Sequence, residues 1–173
     1  MKKTILAIII LISLTGCGVF DLNYFVMPDD VEFIACISEL DTPEKIGDYM
    51  LENFIYELHY FYDPDPYTLW KIKKGDCNDM STFGVWVVHW HDYEAYQIMI
   101  FWNGNFEKHR IAVYTEDDGL SFTDNQYYFN NYGYFFDTFR EIVEFDCNYF
   151  PDKELRKYIV YDYWNNEVEI GYN

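Results

Sequence analysis

Residues 75–102 read GDCNDMSTFGVWVVHWHDYEAYQIMIFW, and a change of period inside this stretch decides the fold class. Up to about residue 91 the apolar side chains recur every three to four positions, which predicts a helix over roughly 76–91. From Tyr96 to Trp102 the period falls to two and both faces are apolar, which predicts a central strand. The chain therefore changes from helix to strand near its middle.

Upstream of this stretch the sequence predicts further helical structure. Residues 30–40 form a short amphipathic segment, and Asp41-Thr42-Pro43-Glu44 is typical of a helix start, with Glu44 three residues after Asp41. Apolar residues at i+4 spacing predict that this second helix runs to about residue 59; they are Ile46, Met50, Phe54 and Leu58. The prolines of residues 63–66 end it, and residues 67–73 are predicted to be a connector.

Downstream of it the sequence predicts mainly strands. The predicted elements are strands at 108–116 and 120–126 with turns at 103–105 and 117–119, a loop at 127–135, a helix at 137–145, and one or two terminal strands within 157–170. Helices followed by an antiparallel meander predict an α+β protein.

Composition limits the classes of function. The chain has 173 residues, 30 acidic against 12 basic side chains, and a formal net charge of −18. Half of the residues are hydrophobic and 22% are aromatic, enough for the packed core of one domain. A polyanion is repelled by nucleic acid, so no nucleic-acid partner is expected.

The N-terminus has the pattern of an export signal. Lys2 and Lys3 precede an apolar run over residues 4–14, which is shorter than the ~20 residues of a membrane-spanning helix. The following Leu14-Thr15-Gly16-Cys17 resembles the lipobox of bacterial lipoprotein signal peptides. The resemblance implies removal of residues 1–16, lipidation of Cys17, and anchoring in a bacterial-type cell envelope, facing outside the cytoplasm. An ordinary signal peptide or an uncleaved anchor is the alternative.

On this interpretation residues 17–30 form a lipidated tether and residues 31–173 the folded domain. Three cysteines then remain in the domain, so at least one thiol is unpaired within the monomer. Cys36 has an apolar setting typical of a buried thiol, and Cys147 lies near a predicted helix end. The sequence leaves open whether these two form a disulfide.

Cys77 differs because it lies in the first turn of the predicted helix 76–91. Unpaired amides and the positive end of the helix dipole stabilise a thiolate there, and the amides can also accept a developing oxyanion. His109 begins the predicted strand 108–116 on an apolar face, and Asp124 lies on the next strand. If these strands form a hairpin, His109 and Asp124 are close together at one end. A carboxylate that orients a histidine, which in turn activates a thiol, is a general arrangement for nucleophilic catalysis.

The motif Gly75-Asp76-Cys77-Asn78-Asp79 resembles the Gly-Asp-Cys-x-Asp box of the transglutaminase-like superfamily, and the resemblance covers roughly residues 40–145. It implies a papain-like fold with a catalytic helix packed on an antiparallel sheet, and a catalytic triad of Cys77, His109 and Asp124. It implies a cysteine peptidase or acyltransferase that acts on peptide amides without a cofactor. The chain departs from the pattern around the histidine, where Lys108 replaces a small residue and no aromatic residue follows.

Other residues are weaker candidates for the site. Trp70 is either a wall of the site or a core aromatic, and Asp76 and Asp79 either support the site or compensate the helix dipole. His59 could approach the site but has no orienting carboxylate near it in the sequence. His89 and His91 compete poorly as bases because they lie on the same helix as Cys77, with His91 about 21 Å along it. No pattern typical of a metal site is present, so no metal is expected.

Two functions remain open at the level of sequence. The first is a lipid-anchored cysteine hydrolase or acyltransferase whose partner is a protein or peptide substrate, with peptidoglycan peptides as one option. The second is a catalytically inactive binding module of the same fold at the cell envelope, used in adhesion, assembly or phage-related surface exclusion.

Overall fold

A computed structural model describes residues 25–59, 63–104, 107–130, 133 and 135–173. The predicted signal peptide and Cys17 lie outside these residues. The elements in chain order are α1 (Val31–Glu39), α2 (Pro43–Asn53), β1 (Ile55–Tyr56), α3 (Pro66–Ile72), β2 (Lys74–Gly75), α4 (Cys77–Trp90), β3 (Ala95–Trp102), β4 (Lys108–Glu116), β5 (Gly119–Asp124), β6 (Tyr127–Phe129), α5 (Phe139–Cys147), β7 (Leu155–Asp162) and β8 (Glu167–Tyr172).

The fold is α+β, and its centre is an antiparallel six-stranded sheet. The strand order is β6-β5-β4-β3-β7-β8, with the predicted central strand β3 between β4 and β7. A separate pair, β1 and β2, is parallel and joins the chain after α2 to the chain before α4. In the part of the chain that the structure describes, no helix is long and apolar enough to cross a membrane.

The sheet separates two hydrophobic clusters. Side chains of α1–α4 pack against the face of β4 that carries Ala112 and Tyr114. The opposite face carries Ile111 and Val113 and packs against α5 through Ile142. Consecutive residues of β4 therefore point into different layers, as the two-residue period of a strand requires.

Helix α4 lies close to the sheet because Gly84 has no side chain. A Cβ at this position would collide with the Tyr114 hydroxyl and meet the Ala112 Cβ at 3.5 Å. The close approach fixes how far α4 stands from β4, and thus how far Cys77 lies from the start of that strand.

Several predicted element bounds were wrong. Helix α2 begins after an N-cap at Thr42, not Asp41, and it ends at Asn53, so Leu58 is 56% exposed instead of lying in the core. Residues 67–73, predicted as a connector, contain most of α3, and the predicted loop 127–135 contains β6. Phe25 and Met27, assigned to the tether, pack against the cluster of α1–α4.

Candidate functional site

Cys77 is the first residue of α4, as predicted. Asp76 caps the helix by accepting hydrogen bonds from the amides of Asn78 at 2.9 Å and Asp79 at 3.4 Å. The Asp79 carboxylate reciprocates by accepting the Asp76 amide at 2.9 Å, which completes a capping box. Asp76 and Asp79 therefore cap the helix, and Asp76 binds two of the first amides that an oxyanion would otherwise use.

The lysines beside this box do not pair with it. Lys73 Nζ donates to the Tyr49 hydroxyl at 2.5 Å, and Lys74 Nζ donates to Glu57 at 3.0 Å. Lys73 also lies over the ring of Trp70, which in turn contacts the rings of Phe33 and Tyr67. These contacts make Trp70 part of the aromatic core around α3.

His109 and Asp124 meet at the end of the sheet. Asp124 pairs with Ile111 in the β4–β5 register, so His109 lies diagonally from it, and Nε2 of His109 is 2.8 Å from Oδ1 of Asp124. Their side chains are only 12% and 15% exposed. The hairpin predicted from the turn at 117–119 thus brings together the two residues that the sequence paired.

Cys77 also lies near enough to His109 to raise the pKa of the imidazole. Burial alone would lower the pKa of His109, but the hydrogen bond that it donates to Asp124, the nearby Cys77 side chain, and the charges of Asp124 and Asp146 raise it to about 10. The three sequence-predicted residues therefore form one constellation in which the charged form of His109 is strongly favoured.

A buried network of side-chain hydrogen bonds connects the first turn of α4 to β4 beside His109. Arg110 is 3% exposed, and its Nη1 donates to Asn78 Oδ1 at 2.6 Å and to Gln97 Oε1 at 3.3 Å. Gln97 Nε2 continues to Thr82 at 3.1 Å and Ser81 at 3.4 Å. Such a network fixes the position of the helix along the strand, because a shift of one against the other would leave buried polar groups unpaired. Arg110 was not predicted from the sequence to belong to the site.

Two more residues near Cys77 were also missed. Tyr56 is 48% exposed, and its pKa rises to about 12 because of burial and the nearby negative charges of Cys77, Asp76 and Asp124. No sequence signal identified Tyr56, since it was predicted to be helical. Asp146 in α5 is buried beside His109, and an acid within the apolar stripe of Ile142 and Val143 was the signal that could have found it.

The remaining histidines have other partners. His59, for which the sequence offered no orienter, has its Nε2 2.5 Å from Oδ2 of Asp79. His91 contacts the carbonyl of Ile37 at 2.8 Å, and His89 stacks on Tyr163, at the other end of α4 from Cys77. Their position agrees with the expectation that they compete poorly as bases.

The three cysteines among the described residues are free thiols. Cys36, Cys77 and Cys147 are all unpaired, so the alternative of a Cys36–Cys147 disulfide is wrong. Cys36 and Cys147 pack in hydrophobic clusters on opposite faces of the sheet.

A cavity lined by His91, Glu94 and Glu116 lies at the C-terminal end of α4, away from Cys77.

In two sets of residues, the atoms that could bind a metal ion all lie within 4.8 Å of one another. The first set is His59, Asp76 and Asp79, and the second is His109, Asp124 and Asp146. In both sets the histidine already contacts a carboxylate of the same set. Both acids of the first set also serve the helix cap. These hydrogen bonds account for the histidine positions without a metal ion.

No protein-family model matches the chain, and no curated protein matches it.

Proposed function

We propose that the chain is a thiol enzyme that cleaves or transfers peptide amides, with a papain-like fold of the transglutaminase-like type. The observation that carries the proposal is that His109 contacts Asp124 at 2.8 Å and lies near enough to Cys77, at a helix N-terminus, for this side chain to raise the pKa of the imidazole. A nucleophile, a base and a group that orients the base are the parts that covalent acyl transfer requires.

The roles follow from the contacts. Asp124 occupies Nε2 of His109, so the nitrogen available to the thiol is Nδ1. The proton of Cys77 Sγ moves to this nitrogen, and the thiolate attacks the carbonyl carbon of the amide. The imidazolium then gives the same proton to the departing amine, and an acyl-thioester remains. Water or a second amine attacks the thioester with His109 again as base.

The oxyanion of this reaction requires hydrogen-bond donors beside Cys77. The amides of Asn78 and Asp79 are bound to Asp76, which leaves the amide of Cys77 itself at the start of the helix. We propose the hydroxyl of Tyr56 as the second donor, because burial and then the charge of Cys77 raise the pKa of this residue, so its hydroxyl keeps its proton beside the thiol site. We assign these two groups to the oxyanion site.

The proposed enzyme is anchored through lipid on Cys17 in a bacterial-type cell envelope, where it meets peptide substrates outside the cytoplasm. The motivation is the N-terminal sequence of residues 1–17. Metabolic labelling with an alkyne fatty acid should mark the chain and should not mark Cys17→Ser; equal labelling of both would refute the anchor.

Thiol reactivity tests the proposed chemistry. The purified chain is treated with iodoacetamide at pH 6, and labelled residues are mapped by mass spectrometry. Cys77 should react faster than Cys36 and Cys147, because only Cys77 has a histidine partner that can take its proton. An E-64-type epoxide should label the same residue. If Cys77 reacts no faster than the other two thiols, the enzyme proposal fails and the alternative, a binding module of the same fold, is favoured.

A further inference from the structure

Asp146 is a buried acid without a hydrogen-bond partner. It lies on the inner face of α5, it is 1% exposed, and neither carboxylate oxygen has a partner among the described residues. Burying an unpaired carboxylate is unfavourable, and such groups are rare in folded proteins. Local packing of α5 would be better served by an apolar residue at this position, so the acid requires another explanation.

The surroundings of Asp146 supply one. Ligating atoms of His109, Asp124 and Asp146 all lie within 4.8 Å of one another. Burial raises the pKa of Asp146 to about 7, the charge of His109 opposes this rise, and the charge of Asp124 adds to it. Asp146 therefore faces the imidazole from α5, whereas Cys77 reaches the same imidazole from α4.

Other titratable groups around α5 do not take over this role. Cys147 follows in the chain, and burial together with the charges of Asp146 and Glu144 raises its pKa to about 12, so it stays a neutral thiol. On the neighbouring strand β7 the Tyr158 hydroxyl donates to Glu169 at 2.6 Å, and Arg140 and Glu144 pair on the exposed side of α5.

We propose that Asp146 is a positioning residue of the thiol site, whose carboxylate holds His109 in the imidazolium form opposite a Cys77 thiolate. The inference rests on the proposed function. In the step that it favours, the S–H bond of Cys77 breaks and an N–H bond forms on His109, and Asp146 exchanges no proton. Because Asp146 lies on the imidazole side, its charge stabilises the imidazolium more than it opposes the thiolate.

A buried charge kept for this purpose should lower the stability of the fold. Asp146→Asn keeps the shape and removes the charge, so it should weaken the thiol site and leave the protein equally or more stable. An acid that served only the structure would behave in the opposite way. Asp152→Asn is the matched control, since it removes one charge from an exposed residue in the following turn.

The test measures the pKa of His109 by NMR, the rate of Cys77 alkylation at pH 8, where the Asp146 carboxyl is charged, and the denaturant midpoint. In Asp146→Asn the pKa should fall by about one unit, as expected for one charge at this distance. The alkylation rate should also fall, by up to about tenfold, because an imidazole whose pKa is one unit lower accepts the Cys77 proton less favourably. Asp152→Asn should change neither quantity. An unchanged pKa of His109 in folded Asp146→Asn would overturn the proposal.

Two further results keep this proposal separate from the proposed function. If Cys77 of the unaltered chain is no more reactive than Cys36, the enzyme proposal fails, while the effect of Asp146→Asn on the pKa of His109 still decides the coupling. If Asp146→Asn does not fold, the carboxyl carbon of Asp146 is titrated by NMR in the unaltered chain. A midpoint near 7 that also appears in the His109 resonances supports the coupling, and an ordinary midpoint near 4 refutes it.

Discussion

Two histidine–carboxylate pairs flank the first turn of α4, and they differ in which elements they join and in what else the carboxylate binds. His109 and Asp124 lie on paired strands, 2.8 Å apart, and both are largely buried. His59 and Asp79 join the segment after β1 to the helix at 2.5 Å, with His59 27% exposed and Asp79 fully buried.

The carboxylate of the second pair is committed to the helix. Oδ2 of Asp79 accepts the Asp76 amide as well as His59, so its position is set by the capping box. An ion pair ordinarily lowers the pKa of a carboxyl, yet burial outweighs His59 and raises the pKa of Asp79 to about 6. The comparison teaches that a histidine–aspartate contact does not by itself identify a base. In the proposed function the partner of the thiol is His109, and its carboxylate partner Asp124 comes from a strand that takes no part in capping α4.

The largest expected effect separates the two histidines. His109→Gln should lower the rate of Cys77 alkylation at pH 6 by about 100-fold or more, because it removes the group that accepts the thiol proton. His59→Gln should leave the rate within about threefold, because its partner belongs to the helix cap. Rates come from mass spectrometry of the labelled peptide. An equal loss in both variants would break the comparison.

Substitution of Asp124 should change thiol reactivity, whereas substitution of Asp79 should change stability. Asp124→Asn should lower Cys77 reactivity by about tenfold or more while the fold remains stable, because the imidazolium loses its charged partner. Asp79→Ala should instead lower the free energy of unfolding by about 1–2 kcal/mol through loss of the capping box. Urea denaturation of both variants, beside the alkylation assay, measures the two effects. A fully reactive Asp124→Asn would contradict the proposed orienting role.

The smallest expected effect is a pH dependence of stability. His109 has a pKa near 6.5 when unfolded and about 10 in the fold, so its contribution is complete below pH 6.5 and is lost as pH rises towards 10. Between pH 7 and pH 9 the free energy of unfolding should fall by at least about 1 kcal/mol. Denaturant titrations at each pH measure this slope, and His109→Gln is the control in which it should flatten. A slope that persists in the variant would assign the effect to other groups.

Asp79 works over a different pH range. Its pKa is about 6 in the fold and about 4 in the unfolded chain, so the folded state keeps the proton to a higher pH. The free energy of unfolding therefore falls as pH rises from about 4 to about 6. The His109 slope above pH 7 can therefore be told apart in one series of unfolding curves, whereas the slope below pH 7 is shared by Asp79 and Asp146, whose pKa rises to about 7.

Much of the core of the fold follows from local patterns. The helix 76–91 and the strand 108–116 were predicted within one residue of α4 and β4, because period and capping residues are properties of adjacent side chains. Helix α2 was predicted too long, since Leu58 continues the i+4 spacing after Phe54 but the chain there pairs as β1 with β2. Pairing with a segment 19 residues away, Ile55 with Lys74, cannot be recognised from a local window.

The sequence by itself determined the α+β class, the place of Cys77 at a helix start, and the pairing of His109 with Asp124, since each depends on a short window or on one hairpin. Only the tertiary structure decided that Arg110 ties α4 to the sheet, that Asp79 is the partner of His59, and that Asp146 faces His109 from the other layer. These contacts join residues 20 to 37 positions apart through side chains from different elements. The physical reason is that burial and charge at the end of the sheet depend on how the layers on its two faces meet there, and no single segment contains that information.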